Sequence, residues 1–117
     1  MSSENTRDFI AALDLGSNSF HLIVARRNDA GYRVIDKHKE TVRLASGFDE
    51  QGNLKQEAIG KAVKALERLG ERVRKIPNSN LRIVGTNTLR KAKNADVFIE
   101  AAERVLGHSI DVIAGAE

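Results

Sequence analysis

The chain has 117 residues, 41% hydrophobic and 30% charged, with 19 Lys and Arg against 16 Asp and Glu for a net charge of +3. That length gives one domain with a modest core and excludes an enzyme whose cleft lies between two lobes of this chain. No apolar run approaches the roughly 20 residues of a membrane span, the polar start lacks the apolar segment of a secretion signal, and Cys is absent, so a cytoplasmic address is expected. Four Phe and one Tyr are too few for a base-stacking platform, so no nucleic-acid partner is expected. The mild positive charge suits an anionic ligand.

In chain order, residues 9–14 and 19–27 read as two strands joined by Asp14-Leu15-Gly16-Ser17-Asn18-Ser19. This stretch has the chemistry of a phosphate-binding turn. Two hydroxyl residues, an amide and a Gly behind a carboxylate put several backbone N–H donors where an anion could sit, with Asp14 set to hold a cation. The turn Asn28-Asp29-Ala30-Gly31 leads into a third strand from 32 to about 44, and the breaker-rich segment 46–53 ends the meander.

From near residue 54 the period changes. Ile59, Ala62, Leu66, Leu69, Val73 and Ile76 recur at alternating spacings of 3 and 4, which predicts an amphipathic helix stopped by Pro77. The charged run Glu67, Arg68, Glu71, Arg72, Arg74 and Lys75 would form its solvated face. Residues 81–85 read as a short buried strand and 86–93 as a polar, basic connection. Asn94 can cap a helix bearing Phe98, Ala101, Ala102, Val105 and Leu106 on one face, with Gly107 at its C-terminal end. Residues 110–114 read as a last strand. His21 is expected to be a packed strand residue, and His38 and His108, with no partner at metal-ligand spacing, surface residues.

The resulting order, β-β-β-α-β-α-β, predicts an α/β domain with a mixed five-stranded sheet and its first strand in the centre. Phe9, Ala11 and Leu13 point one way on that strand and Ile10 and Ala12 the other, so both faces look apolar. Two crossover helices cover one face only. The expectation is a single domain, 1–117, incomplete at its C-terminus, whose isolated chain self-associates through exposed apolar surface.

Asp14 to Leu22, Val42-Arg43-Leu44-Ala45, Val84-Gly85-Thr86-Asn87-Thr88-Leu89-Arg90-Lys91-Ala92-Lys93-Asn94-Ala95 and Ile113-Ala114-Gly115-Ala116-Glu117 resemble, in order, the N-terminal blocks of the exopolyphosphatase and guanosine pentaphosphate phosphatase family. The resemblance implies a ribonuclease-H-like core of the actin, heat-shock ATPase and sugar kinase superfamily. It also implies removal of terminal phosphate from inorganic polyphosphate, or of the 5′-terminal phosphate from guanosine pentaphosphate, by water with Mg²⁺, in a full-length protein expected to be a homodimer. Gly16, Ser17, Asn18 and Ser19 would form the first phosphate loop, Arg43 and Arg90 would supply cations for phosphate oxygens, and Asp14 would hold Mg²⁺.

Glu117 matches the first member of the family's Glu pair, whose second member acts as the base, so the fragment itself is expected to be inactive. The block at 84–90 looks closer to the exopolyphosphatase branch. Two readings from other classes bear on the same residues. A ribonuclease-H-type nucleic-acid enzyme needs further carboxylates converging on Asp14, and the strand 81–85 carries none. A non-catalytic phosphate-binding module would bind polyphosphate without turnover.

Overall fold

The computed structural model describes residues 6–85 and 87–112. Its sheet has five strands: β1 (Phe9–Leu15), β2 (Ser19–Asn28), β3 (Gly31–Thr41), β4 (Leu81–Gly85) and β5 (Asp111–Val112). Their order across the sheet is β3-β2-β1-β4-β5, with β1 antiparallel to β2 and parallel to β4. The central place expected of the first strand is therefore observed. At the tip of the β2–β3 hairpin, Asn28 Oδ1 accepts from the Ala30 N–H at 2.9 Å and Gly31 takes a φ of 121°, the conformation that closes the turn. A bulge falls between Val24 and Ala25.

Three helices follow the period change: α1 (Gln56–Val73), α2 (Asn87–Lys91) and α3 (Ala95–Leu106). The basic connection expected over 86–93 thus contains a helix. Leu89 and Ala92 are buried and anchor it, a pair too short to register as a period. Helix α3 ends as its sequence suggests: Gly107 adopts φ 67° and donates its N–H to the Glu103 carbonyl at 2.8 Å. The third strand stops at Thr41, and residues Leu44–Gly47 form a 3-10 turn instead of continuing it.

Both long helices cover one face. Ala62, Ala65, Leu66 and Leu69 from α1 and Phe98 and Ala102 from α3 share a core with Leu13, Leu15, Phe20, Leu22 and Ile83. On the opposite face Ala12, Asp14, His21, Ile23 and Arg82 are exposed. His21 is therefore not a packed residue: the ladder pairs it with Asp14 on the face that no described element covers.

The outer face of α1 is also less solvated than its charges suggest. Arg68 forks onto Glu40 of β3 at 2.8 and 3.0 Å, and Arg72 reaches Asp36 at 3.0 Å. His38 Nε2 lies 3.3 Å from Glu40 Oε2, and His108 contacts the carbonyl oxygens of Ser109 and Asn78 at 2.7 and 3.1 Å. No helix among the described residues is long and apolar enough to cross a membrane.

Candidate phosphate-binding site

Strands β1 and β4 are parallel neighbours, and Leu15 pairs with Gly85 at their C-terminal ends. The turn after β1 and the helix after β4 therefore start side by side, the edge at which open α/β sheets place ligands.

Residues 16–18 make the turn. The Gly16 N–H donates to the Ser19 carbonyl at 3.1 Å, and a Cβ on Gly16 would stand 2.9 Å from that oxygen, a closeness only glycine tolerates without a shift. The turn is then strapped from outside. Val42 and Arg43 both donate their N–H groups to the Asn18 carbonyl, at 3.0 and 2.7 Å, and Ala45 donates to Ser17 at 2.9 Å. Among the described residues the N–H groups of Ser17 and Asn18 donate to no carbonyl. At Ser17 and Asn18 the acceptors are thus tied down and the donors available, the polarity an anion requires. Ser17 and Asn18 are exposed, whereas Ser19 is only 5% exposed, with its hydroxyl 3.4 Å from Asn18 Nδ2. The side chains of Ser17 and Asn18, not that of Ser19, are the accessible ones.

Arg43 sits in the strap. Its φ of 56° and ψ of 49° are left-handed, the sole positive φ on a non-glycine residue among those described. The conformation is locked from both sides, since its own N–H goes to Asn18 and its carbonyl accepts from the Ser46 N–H and hydroxyl at 3.1 Å each. Backbone strain of this kind persists where the surroundings over-determine it, and it leaves the Arg43 side chain exposed beside the turn.

Arg90 lies on α2, directly after β4. Leu89, 1% exposed, pins the helix, and Gly85 makes room: a Cβ there would stand 2.3 Å from Leu89 Cδ1. With Leu89 inside, Arg90 and Lys91 are left exposed. Glycine at 85 is the signal in the sequence that could have announced this seating.

Asp14 is the penultimate residue of β1, exposed on the open face, and among the described residues its carboxylate forms no hydrogen bond or ion pair. No group of three or more His, Cys, Asp or Glu converges among the described residues. A lone carboxylate of this kind would fit Mg²⁺, which is usually held by one or two carboxylates together with substrate phosphates and water. The same register weighs against a ribonuclease-H-type centre. The next carboxylate in the row Asp14, Val84, Asp111 is two strands away, about 10 Å at the normal strand spacing, and approaches Arg82 at 3.8 Å. Glu117 lies outside the described residues.

Residues 23–117 match the profile of the Ppx/GppA phosphatase family. The chain belongs to that family. Curated relatives include the guanosine-5′-triphosphate,3′-diphosphate pyrophosphatase of Vibrio parahaemolyticus, 47% identical over 117 residues, which are 100% of this chain and 24% of the relative. The enzyme of the same name from Aliivibrio fischeri is 45% identical over the same span, again 24% of its length. The chain therefore spans about a quarter of the length of these relatives. The crystal structure of the Aquifex aeolicus Ppx/GppA family member superposes with a TM-score of 0.83 at 27% identity, covering 92% of this chain and 35% of that one. An exopolyphosphatase from Cytophaga hutchinsonii gives a TM-score of 0.84 over 92% of this chain and 35% of its own; at 24% identity it shows the shared fold. The ribonuclease-H-like, actin-type ATPase architecture implied by the four blocks is thus the architecture of the Ppx/GppA family. The leaning toward the exopolyphosphatase branch, which rested on residues 84–90 alone, is not what the curated relatives carry in their names.

Proposed function

We propose that this chain is the phosphate-gripping part of a guanosine pentaphosphate 5′-phosphohydrolase, which uses water to cleave the terminal phosphoanhydride and releases guanosine tetraphosphate and orthophosphate. The observation that carries the reading is the strapped turn at residues 16–18, with the Ser17 and Asn18 N–H groups bonded to no carbonyl among the described residues and Arg43 in the strap, in a chain 47% identical along its whole length to a guanosine-5′-triphosphate,3′-diphosphate pyrophosphatase. Phosphoryl transfer needs little covalent help from a protein. It needs neutralised phosphate charge, an aligned water and a carboxylate to orient that water. In this reading the turn and Arg43 take phosphate oxygens, and Arg90 adds a planar fork suited to bidentate contact. Asp14 would hold Mg²⁺, which when bound would supply charge neutralisation. The water-orienting carboxylate belongs to the Glu pair whose first member Glu117 matches.

Inorganic polyphosphate is the second substrate reading, favoured by the resemblance of residues 84–90 to the exopolyphosphatase branch. Side-by-side turnover of guanosine pentaphosphate and long-chain polyphosphate by the complete gene product separates the two. Guanosine pentaphosphate is expected to be hydrolysed with the higher kcat/KM; the reverse order would give the protein to polyphosphate, and binding without turnover of either would make it a non-catalytic module. This 117-residue chain alone is expected to bind orthophosphate weakly and to hydrolyse neither substrate at a measurable rate.

A further inference from the structure

Asn94 occupies the N-cap position of α3, and Asn is among the residue types best suited to that position. Yet its side chain makes no capping bond. The amide turns away to the backbone of Leu54, 40 residues distant: Oδ1 accepts the Leu54 N–H at 2.8 Å and Nδ2 donates to the Leu54 carbonyl at 3.0 Å. One side chain thereby acts as a strand partner, satisfying both polar groups of a residue that is 3% exposed. Next to it the Lys93 N–H donates to the Gly52 carbonyl at 3.0 Å.

The segment so clasped is the continuation of the strap. At its near end, residues 42–45 are bonded to the phosphate turn through Asn18 and Ser17. In its middle it is closed on itself by the Lys55 N–H to the Gly47 carbonyl at 2.8 Å and by the Phe48–Leu54 bridge. At its far end, Asn94 fastens it to the stretch that leaves α2. The bonded path therefore runs from the turn through Arg43 and Leu54 to Asn94, which is four residues beyond Arg90.

From this we infer that Asn94 is a positioning residue: its two bonds to Leu54 fix the separation between the Arg43 strap and the Arg90 helix, so that the two cations meet successive phosphates of one chain. The inference rests on the phosphate reading above for its ligand and on the geometry alone for the placement. A single phosphate seated in the turn needs no such spacing. A run of phosphates reaching both arginines does, because a receptor whose arms are already placed loses less freedom on binding.

The chain has no Cys, so spin labels can be carried by Ala45→Cys and Lys91→Cys, both exposed positions, and their separation read by pulsed electron paramagnetic resonance. The native background should give one narrow distance distribution. Asn94→Asp keeps the acceptor, loses the donor and remains a good N-cap, and it should broaden that distribution with α3 intact by circular dichroism. Asn94→Ala should broaden it as much; if that variant fails to fold, Asn94→Asp decides alone.

Without labels, affinity for inorganic tripolyphosphate is expected to fall about tenfold in Asn94→Asp, while affinity for orthophosphate stays within about twofold. An unchanged distribution would overturn the inference, as would equal losses for the two anions, which would mark a general folding defect. A native chain that binds neither anion, with a distribution that still broadens on substitution, would sink the phosphate reading and uphold the placement.

Discussion

Arg43 couples strain to function at a single residue. A left-handed conformation costs an L-residue roughly 1–2 kcal/mol and glycine almost none, although glycine loses more freedom on folding. With the side chain removed in both, Arg43→Gly should therefore be about 1 kcal/mol more stable than Arg43→Ala. Both should bind tripolyphosphate more weakly than the native chain. Denaturant titration and calorimetry read the two effects; equal stability of the two variants would show that φ 56° carries no strain.

Residues of this kind also mark the limit of what the sequence could tell. Gly16, Ser17 and Asn18 were legible because turn chemistry is local. Asn94 reads as a cap because its type fits a cap, and its partner 40 residues away leaves no local trace. His21 shows the same limit, because strand alternation names two faces without saying which one the helices take.

At the scale of elements, helix α1 is held to the edge strand β3 by charge as well as by its apolar face. Glu40, 16% exposed along its side chain, is forked by Arg68. The hydrogen bond from Arg68 holds the Glu40 carboxyl below its ordinary value of 4.5, against the opposing effect of burial. A depressed carboxylate stabilises the fold at pH above its unfolded value and stops doing so as pH falls through its folded one. Glu40→Gln should therefore melt below the native chain at neutral pH, and the gap should close only as pH drops below 4.5. A gap independent of pH in thermal melts would show that the pair acts through packing alone. Among the elements, α1 and α3 were legible from period and stop signals, and β4 from its apolar run. Helix α2 was missed because two buried residues, Leu89 and Ala92, in a basic stretch make no pattern, and only the packing of Gly85 reveals it.

For the molecule as a whole, the uneven cover of the sheet is the feature most open to test. Ile23 is 43% exposed on the uncovered side, and Ala12, its partner in the ladder, is exposed beside it. Apolar patches of this kind invite association. The isolated chain is expected to enhance the fluorescence of a dye that binds apolar surface and to sediment with a concentration-dependent mass; a dye-silent monomer at all concentrations would contradict this.

The sheet order has a kinetic consequence as well. Strands β2 and β3 meet across a two-residue tip, but β1 acquires its parallel partner only when Leu81 reaches Ala11, 70 positions along the chain. Loop closure on that scale precedes any reward from the β1–β4 ladder. The three-strand meander can form early and locally. The edge that carries the phosphate turn beside α2 is completed last, so the binding site and the finished central sheet should emerge in the same slow step of folding.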